Sequence, residues 1–165
     1  MKKRIILGLD PGLATVGFAM LDLPPTPSLA GGGATHRVLD FGVITTSPDL
    51  SFPERLLHIK HDLQALIQKF QPTEAVIEEL FFSTNTKTAM SVAHARGVLL
   101  VTLAEENIPL RQLTPNQIKL AVTGDGRADK RQVQDMLMRC FSLSELPKPD
   151  DAADALAIAY AGMLS

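Results

Sequence analysis

Cysteine is almost missing from this chain, tryptophan is missing entirely, and no apolar run is long enough to cross a bilayer. The single Cys140 excludes an intrachain disulfide and a cysteine-built zinc site, and it fits a reducing compartment. An excess of one charge is also missing. Lys plus Arg number 16 against 18 for Asp plus Glu, a formal net charge of -2, so bulk charge excludes a basic nucleic-acid wrapper. Lys2, Lys3 and Arg4 ahead of Ile5, Ile6 and Leu7 imitate the start of a secretion signal, but Asp10 cuts that apolar run short. The expectation is a soluble, cytoplasmic protein with no membrane segment. What is there is ordinary for a globular protein: 165 residues, 45% hydrophobic and 21% charged, which excludes disorder and collagen and suits one domain over residues 1–165.

The chain divides by its punctuation. Arg4 to Asp10 is a β-branched run apolar on both faces, as a central strand should be, and Pro11-Gly12 ends it. Thr15 to Leu21 reads as a second strand, with Gly17 marking close packing, and Val38 to Thr45 as a third, which makes the opening third an antiparallel meander. Between them, Leu23 to His36 carries Pro24, Pro25, Pro27 and Gly31-Gly32-Gly33 and reads as a surface loop. Pro53 to Phe70 has apolar residues at three- and four-residue steps after a capping Ser51, and predicts a helix that Pro72 ends. A strand follows over Glu74 to Leu80. Lys87 to Asn107 predicts a long helix, apolar around much of its circumference and so buried on more than one side. Leu110 to Leu113 is a brief strand, Thr114-Pro115 starts a helix, Gly124-Asp125-Gly126 breaks the chain, and Lys130 to Phe141 and Ala152 to Leu164 close it as helices. Strands, then helix–strand–helix alternation, then helices, predict an α/β fold with a mixed β-sheet flanked by α-helices.

Three distant segments carry carboxylates where carboxylates are unusual. Asp10 ends a nearly wholly apolar strand, where open α/β sheets bind ligands, although an Asx-turn with Gly12 is a bland alternative. Glu78 and Glu79 finish another apolar strand; alternation puts them on opposite faces, so at most one joins a site on a given face, and periodicity does not choose. Asp150, Asp151 and Asp154 open the last helix, with Asp151 and Asp154 on one face. Acids in a first helical turn, with Asp150 as cap, are commonplace, yet like charges so close are better offset by a bound cation than by the helix dipole. A cluster drawn from three segments suits hard divalent cations, Mg²⁺ or Mn²⁺, and two such ions can hydrolyse a phosphodiester. Setting four acids aside as ligands leaves 14 acids against 16 bases, a slightly basic remainder.

Longer stretches then become distinctive. ILGLDPGLATVG from Ile6 to Gly17, VIEELFF from Val76 to Phe82, AHARGVLL from Ala93 to Leu100, TPNQIKLAVTGDGRADKRQV from Thr114 to Val133 and DAADALAIA from Asp151 to Ala159 resemble, in this order, the blocks of RuvC-type Holliday junction resolvases. GLDPG alone is not specific, since actin-like ATPases use a similar turn; the ordered set is. The resemblance implies a ribonuclease H-like fold and a homodimeric, metal-dependent endodeoxyribonuclease acting on four-way junction DNA in recombination and repair. It implies four metal-binding catalytic acids, matched by Asp10, Glu78, Asp151 and Asp154, and so favours Glu78 over Glu79. Some relatives have His where Asp151 stands. It implies base stacking by Phe81, helped by Phe82, although residue pattern alone favours a core role for Phe81, and phosphate contacts by Lys119 and Lys130. A branch-migration motor is a partner by resemblance only.

The loop from Leu23 to His36 is longer and richer in Pro and Gly than the family leads one to expect, and is read as an extended hairpin away from the acids. His36, His58, His61 and His94 are scattered and none is assigned to catalysis. The helix from Lys87 to Asn107 is the expected subunit interface. Two rivals remain: another ribonuclease H-like nuclease acting on structured RNA or flaps, and a non-catalytic junction-binding module. An ATPase is excluded because that fold needs two lobes.

Overall fold

The computed structural model describes residues 4–23, 36–80 and 86–165. Its elements are β1 (Arg4–Asp10), β2 (Thr15–Leu23), β3 (Arg37–Thr45), α1 (Phe52–Phe70), β4 (Glu74–Glu78), α2 (Thr86–Glu105), β5 (Leu110–Leu113), α3 (Pro115–Thr123), α4 (Lys130–Phe141) and α5 (Asp150–Leu164). The strands form one sheet in the order β3-β2-β1-β4-β5. The first three are antiparallel neighbours, whereas β4 and β5 run parallel to β1. This is the mixed sheet that the sequence predicts, with the meander on one side and the helix crossovers on the other. The loop expected over Leu23 to His36 lies, from residue 24 to residue 35, outside the described residues. No helix among the described residues is long and apolar enough to cross a membrane.

Strand alternation sorts the central residues into two cores. Ile5, Leu7 and Leu9 of β1 and Ala75 and Ile77 of β4 join Ile59 and Leu63 of α1 and Ala95, Leu99 and Leu103 of α2. Ile6 and Val76 point the other way, into a core completed by Ile118 and Val122 of α3, Leu137 of α4 and the alanine-rich face of α5. Even-numbered positions of β1 and β4 therefore face α5. Asp10 and Glu78 inherit that direction.

Helix α5 lies unusually close to the sheet. Gly8 of β1 sits under it so tightly that a Cβ would overlap the carbonyl oxygen of Ala155 and the amide of Ala159. A Cβ at Gly17 of β2 would overlap the Asp151 carbonyl, so the close packing expected there is real. The far end of the helix is held by Arg111, which donates to Glu74 at 2.8 Å, to the Gly162 carbonyl and to the Ser165 carbonyl at 3.0 Å. Glu74 accepts a second guanidinium, from Arg4 at 2.5 Å.

Helix α2 departs from its prediction. Ala95, Leu99, Thr102 and Leu103 are buried, but Met90 is 61% and Val101 56% exposed. The second apolar face is not buried within one chain. It forms, with Leu56 and Lys60 of α1, one wall of an open groove of 610 Å³.

Candidate active site

The acids meet at the C-terminal ends of β1 and β4, where two parallel strands stop side by side. The register pairs Leu9 with Ile77, which sets Asp10 next to Glu78 on the α5 face. Asp154, one turn into α5, closes the cluster from above. These three carboxylates, Lys119 of α3 and Lys130 of α4 line a cleft of 230 Å³ with an apolar rim of Pro115, Ile118, Val133, Ala157 and Ile158. Asp151 is not among the cleft's lining residues, yet its charge reaches Asp10. Its main chain rests on Gly17, whose own Cβ would stand 3.2 Å from the Asp10 Cβ.

Each helix is started so as to deliver its residue. Thr114 caps α3 by accepting from the Gln117 N–H at 3.2 Å, while Gln117 accepts from the Thr114 N–H at 2.8 Å. Gly124, at φ 80°, ends that helix. Asp129 and Gln132 repeat the reciprocal cap on α4, at 2.9 and 2.8 Å, which fixes Lys130 at the first helical position. In α5 the cap is Pro149, not Asp150; the helix starts two residues before the predicted Ala152, and Asp150 is its first residue. That places Asp150 where its carboxylate accepts from the Lys130 ammonium at 3.0 Å, while Asp154 accepts from the same ammonium at 3.4 Å.

The electrostatics are those of crowded anions. Burial first, then the charges of Asp154, Glu78 and Asp151, push the Asp10 carboxyl up to about 7, against a smaller pull from Lys130. Burial and Asp154 likewise raise Glu78, and Lys119 opposes them. Burial raises Asp154 in spite of Lys130. The Asx-turn alternative for Asp10 fails, since its carboxylate makes no hydrogen bond among the described residues.

Oxygen donors in a half-buried, overcrowded anionic cleft fit a hard divalent cation, and Asp10, Glu78 and Asp154 with the adjacent Asp151 are the residues able to hold it. Among the described residues no three acidic, histidine or cysteine side chains already close around one point.

Glu79 turns away from this cleft, as alternation requires. Its N–H continues the β4–β5 ladder to the Leu113 carbonyl at 2.9 Å, and its side chain lines a separate pocket on the α2 side. Phe81 and Phe82 lie outside the described residues. The histidines stand away from the acids: His58 pairs with Asp62 at 3.2 Å, His94 packs edge-on against Phe52, and His36 packs edge-on against Tyr160. Arg96, in the AHARGVLL stretch, has no local pattern that marks it; the available signal was an arginine one residue from the buried Ala95.

Comparison with known proteins agrees with the geometry. The sequence model of the family described as crossover junction endodeoxyribonuclease RuvC matches residues 6–161. The protein of that name from Caldicellulosiruptor saccharolyticus is 44% identical over 160 residues, covering 97% of this chain and 92% of the relative. Its counterpart from Alkaliphilus oremlandii is 46% identical over 155 residues, covering 94% and 90%. Thermus thermophilus RuvC superposes with a TM-score of 0.86 at 31% identity, over 97% of this chain and 93% of that one, and has also been solved in complex with a Holliday junction substrate. A near-full-length family match, relatives above 40% identity and a shared fold leave one conclusion: the chain belongs to the RuvC family of crossover junction endodeoxyribonucleases.

Proposed function

We propose that this chain resolves four-way DNA junctions by metal-dependent hydrolysis of one phosphodiester per subunit, with Asp10, Glu78, Asp151 and Asp154 as its ligands and catalytic acids. The carrying observation is the position of Asp10: a half-buried carboxylate at a strand end, crowded by three others. Such a cluster is unfavourable unless a cation joins it. Mg²⁺ or Mn²⁺, two ions per site, would supply the activated water and stabilise the leaving oxygen when bound.

The chain's own residues do the rest. Asp10, at the meeting point of the other carboxylates, would hold the ion with them, and the paired ends of β1 and β4 keep it and Glu78 in register. Lys119 and Lys130 flank the cleft and provide cations for the phosphates on either side of the cut. Lys130, tied to Asp150 and Asp154 in the free protein, exchanges those carboxylates for phosphate oxygens. Phe81 and Phe82, two and three residues beyond Glu79, are proposed to stack on bases unpaired at the crossover. The products are a 5′-phosphate and a 3′-hydroxyl.

A homodimer is part of this reading. The groove between α1 and α2 is apolar, and Met90 and Val101 stand out of it exposed. A second copy covering both would present two clefts related by a two-fold axis, matching the near two-fold symmetry of the junction and giving paired nicks in strands of like polarity.

The test is cleavage of a mobile four-way junction with Mg²⁺ or Mn²⁺, each 5′ end labelled in turn, beside linear duplex, flap and structured-RNA substrates. Symmetric, chelator-sensitive nicks confined to the junction are expected. Asp10→Asn should reduce them about a hundred- to a thousandfold, the range for removing one charge-stabilising group from a catalytic centre, while leaving junction binding in place. Preference for a flap or RNA, or tight binding without nicks, would overturn the reading in favour of a different nuclease or a binding module.

A further inference from the structure

The end of β4 has two sides, and only one belongs to the acids. On the other, Glu79, Leu80, Ala93, Arg96 and Gln112 line a cavity of 310 Å³, at the small end of ligand-pocket sizes. Arg96 is half-buried. It donates through one terminal nitrogen to the Gln112 side-chain carbonyl, and its Nε is buried with no partner among the described residues. Arg96 and Glu79 share the cleft without pairing with each other. A buried N–H left open calls for an explanation, and an acceptor arriving with a ligand is one.

The mixture of groups narrows the ligand. A phosphate would meet Glu79, and a cation would meet Arg96, so neither is favoured. One guanidinium, one carboxylate and an apolar floor of Leu80 and Ala93 suit a flat neutral group with acceptors on one edge and donors on the next. Guanine has O6 and N7 for a guanidinium and N1–H and N2–H for a carboxylate. The cleft also adjoins the α1–α2 groove, since Ala93 lines both. In the dimer proposed above, with this groove at the two-fold axis, the cleft would lie toward the exchange point of the junction.

We propose that this cleft takes a guanine of the junction beside the catalytic cleft, with Arg96 on its O6/N7 edge, Glu79 on its N1/N2 edge and Gln112 positioning Arg96. The pocket would thereby set a base preference near the cut. The inference rests on the junction-resolving reading above.

The experiment is a series of junctions identical except for the base at each position around the cut, with guanine also replaced by 7-deazaguanine, which lacks N7, and by inosine, which lacks the N2 amine. The wild-type protein should favour guanine at one position by about tenfold or more, the range for a bidentate contact. Arg96→Lys should remove the penalty for 7-deazaguanine, Glu79→Gln the penalty for inosine, and Gln112→Ala, at an exposed position, should weaken the first. No guanine preference in the wild type, or variants that lower every junction alike and keep the ratio, would overturn the proposal. If the wild type cuts no junction, the nuclease reading falls by itself. Binding of guanine and 7-deazaguanine junctions in chelator then decides: a difference that Arg96→Lys abolishes supports the cleft's assignment, and equal binding overturns it.

Discussion

Asp10 is the residue whose chemistry and stability conflict most openly. Its carboxyl titrates near 3.8 when free of the fold and is pushed up to about 7 within it, by burial first and then by its acidic neighbours. The protonated acid is tolerated and the anion is not. Its contribution to stability is therefore complete below about 3.8 and is lost as pH rises toward 7, at a limiting slope of ~1.4 kcal/mol per pH unit. Glu78 and Asp154, raised for the same reason, act with the same sign. In chelator, the melting temperature of the wild type should fall between pH 5 and pH 7.5 by more than that of Asp10→Asn, and calorimetry at the two pH values checks it. Divalent cation should restore most of the loss in the wild type and little in the variant, because the cation removes the cause.

At the scale of the element, α5 decides whether the acids meet. It rests on β1 and β2 at Gly8 and Gly17, main chain on main chain, so Gly8→Ala has to lift the helix. Overpacking of this kind costs about 1–3 kcal/mol. The expected result is a lower melting temperature together with a loss of cleavage larger than the stability change explains, since Asp151 and Asp154 move with the helix; melting and junction cleavage measured on one preparation would separate the two. Much of this was legible beforehand. The bounds of β1, β5 and α4 coincide with those read from apolar patterning and breakers, because Pro11-Gly12, Pro115 and Asp129 act locally. The ends that shifted are those where context intervenes. Asn107, at φ 56°, lies beyond a helix that stops at Glu105, and β4 ends at Glu78, two residues before the expected Leu80. Residues that act by meeting others far along the chain were not legible: Arg111 joining Glu74 to the end of α5, Asp150 joining Lys130, and Arg96 meeting Gln112. None carries a local pattern. The choice of Glu78 over Glu79 needed either the family or the parity of β4 against β1, and the two agree.

For the molecule as a whole, the second apolar face of α2 is the surface that the proposed dimer would cover. An exposed Met90 and Val101 on a groove of this size fit a surface kept for another copy. Val101→Glu places a charge there without touching either core. Sedimentation at micromolar concentration should show the wild type as a dimer and this variant as a monomer with the same circular dichroism; a wild-type monomer, or an undisturbed variant dimer, would move the interface elsewhere. Cleavage by the monomeric variant should lose its pairing, leaving single nicks in place of two.

The seating of α5 also bears on transplantation. An engineer who copied the four acids onto another sheet of the same strand order would still lack what sets their spacing. That spacing is held by two missing Cβ atoms, at Gly8 and Gly17, which let a helix approach closer than any pair of side chains allows. Exchanging one of the acids for another side chain changes that group and leaves the frame intact, whereas adding a single methyl group under the helix changes the frame for every acid it carries.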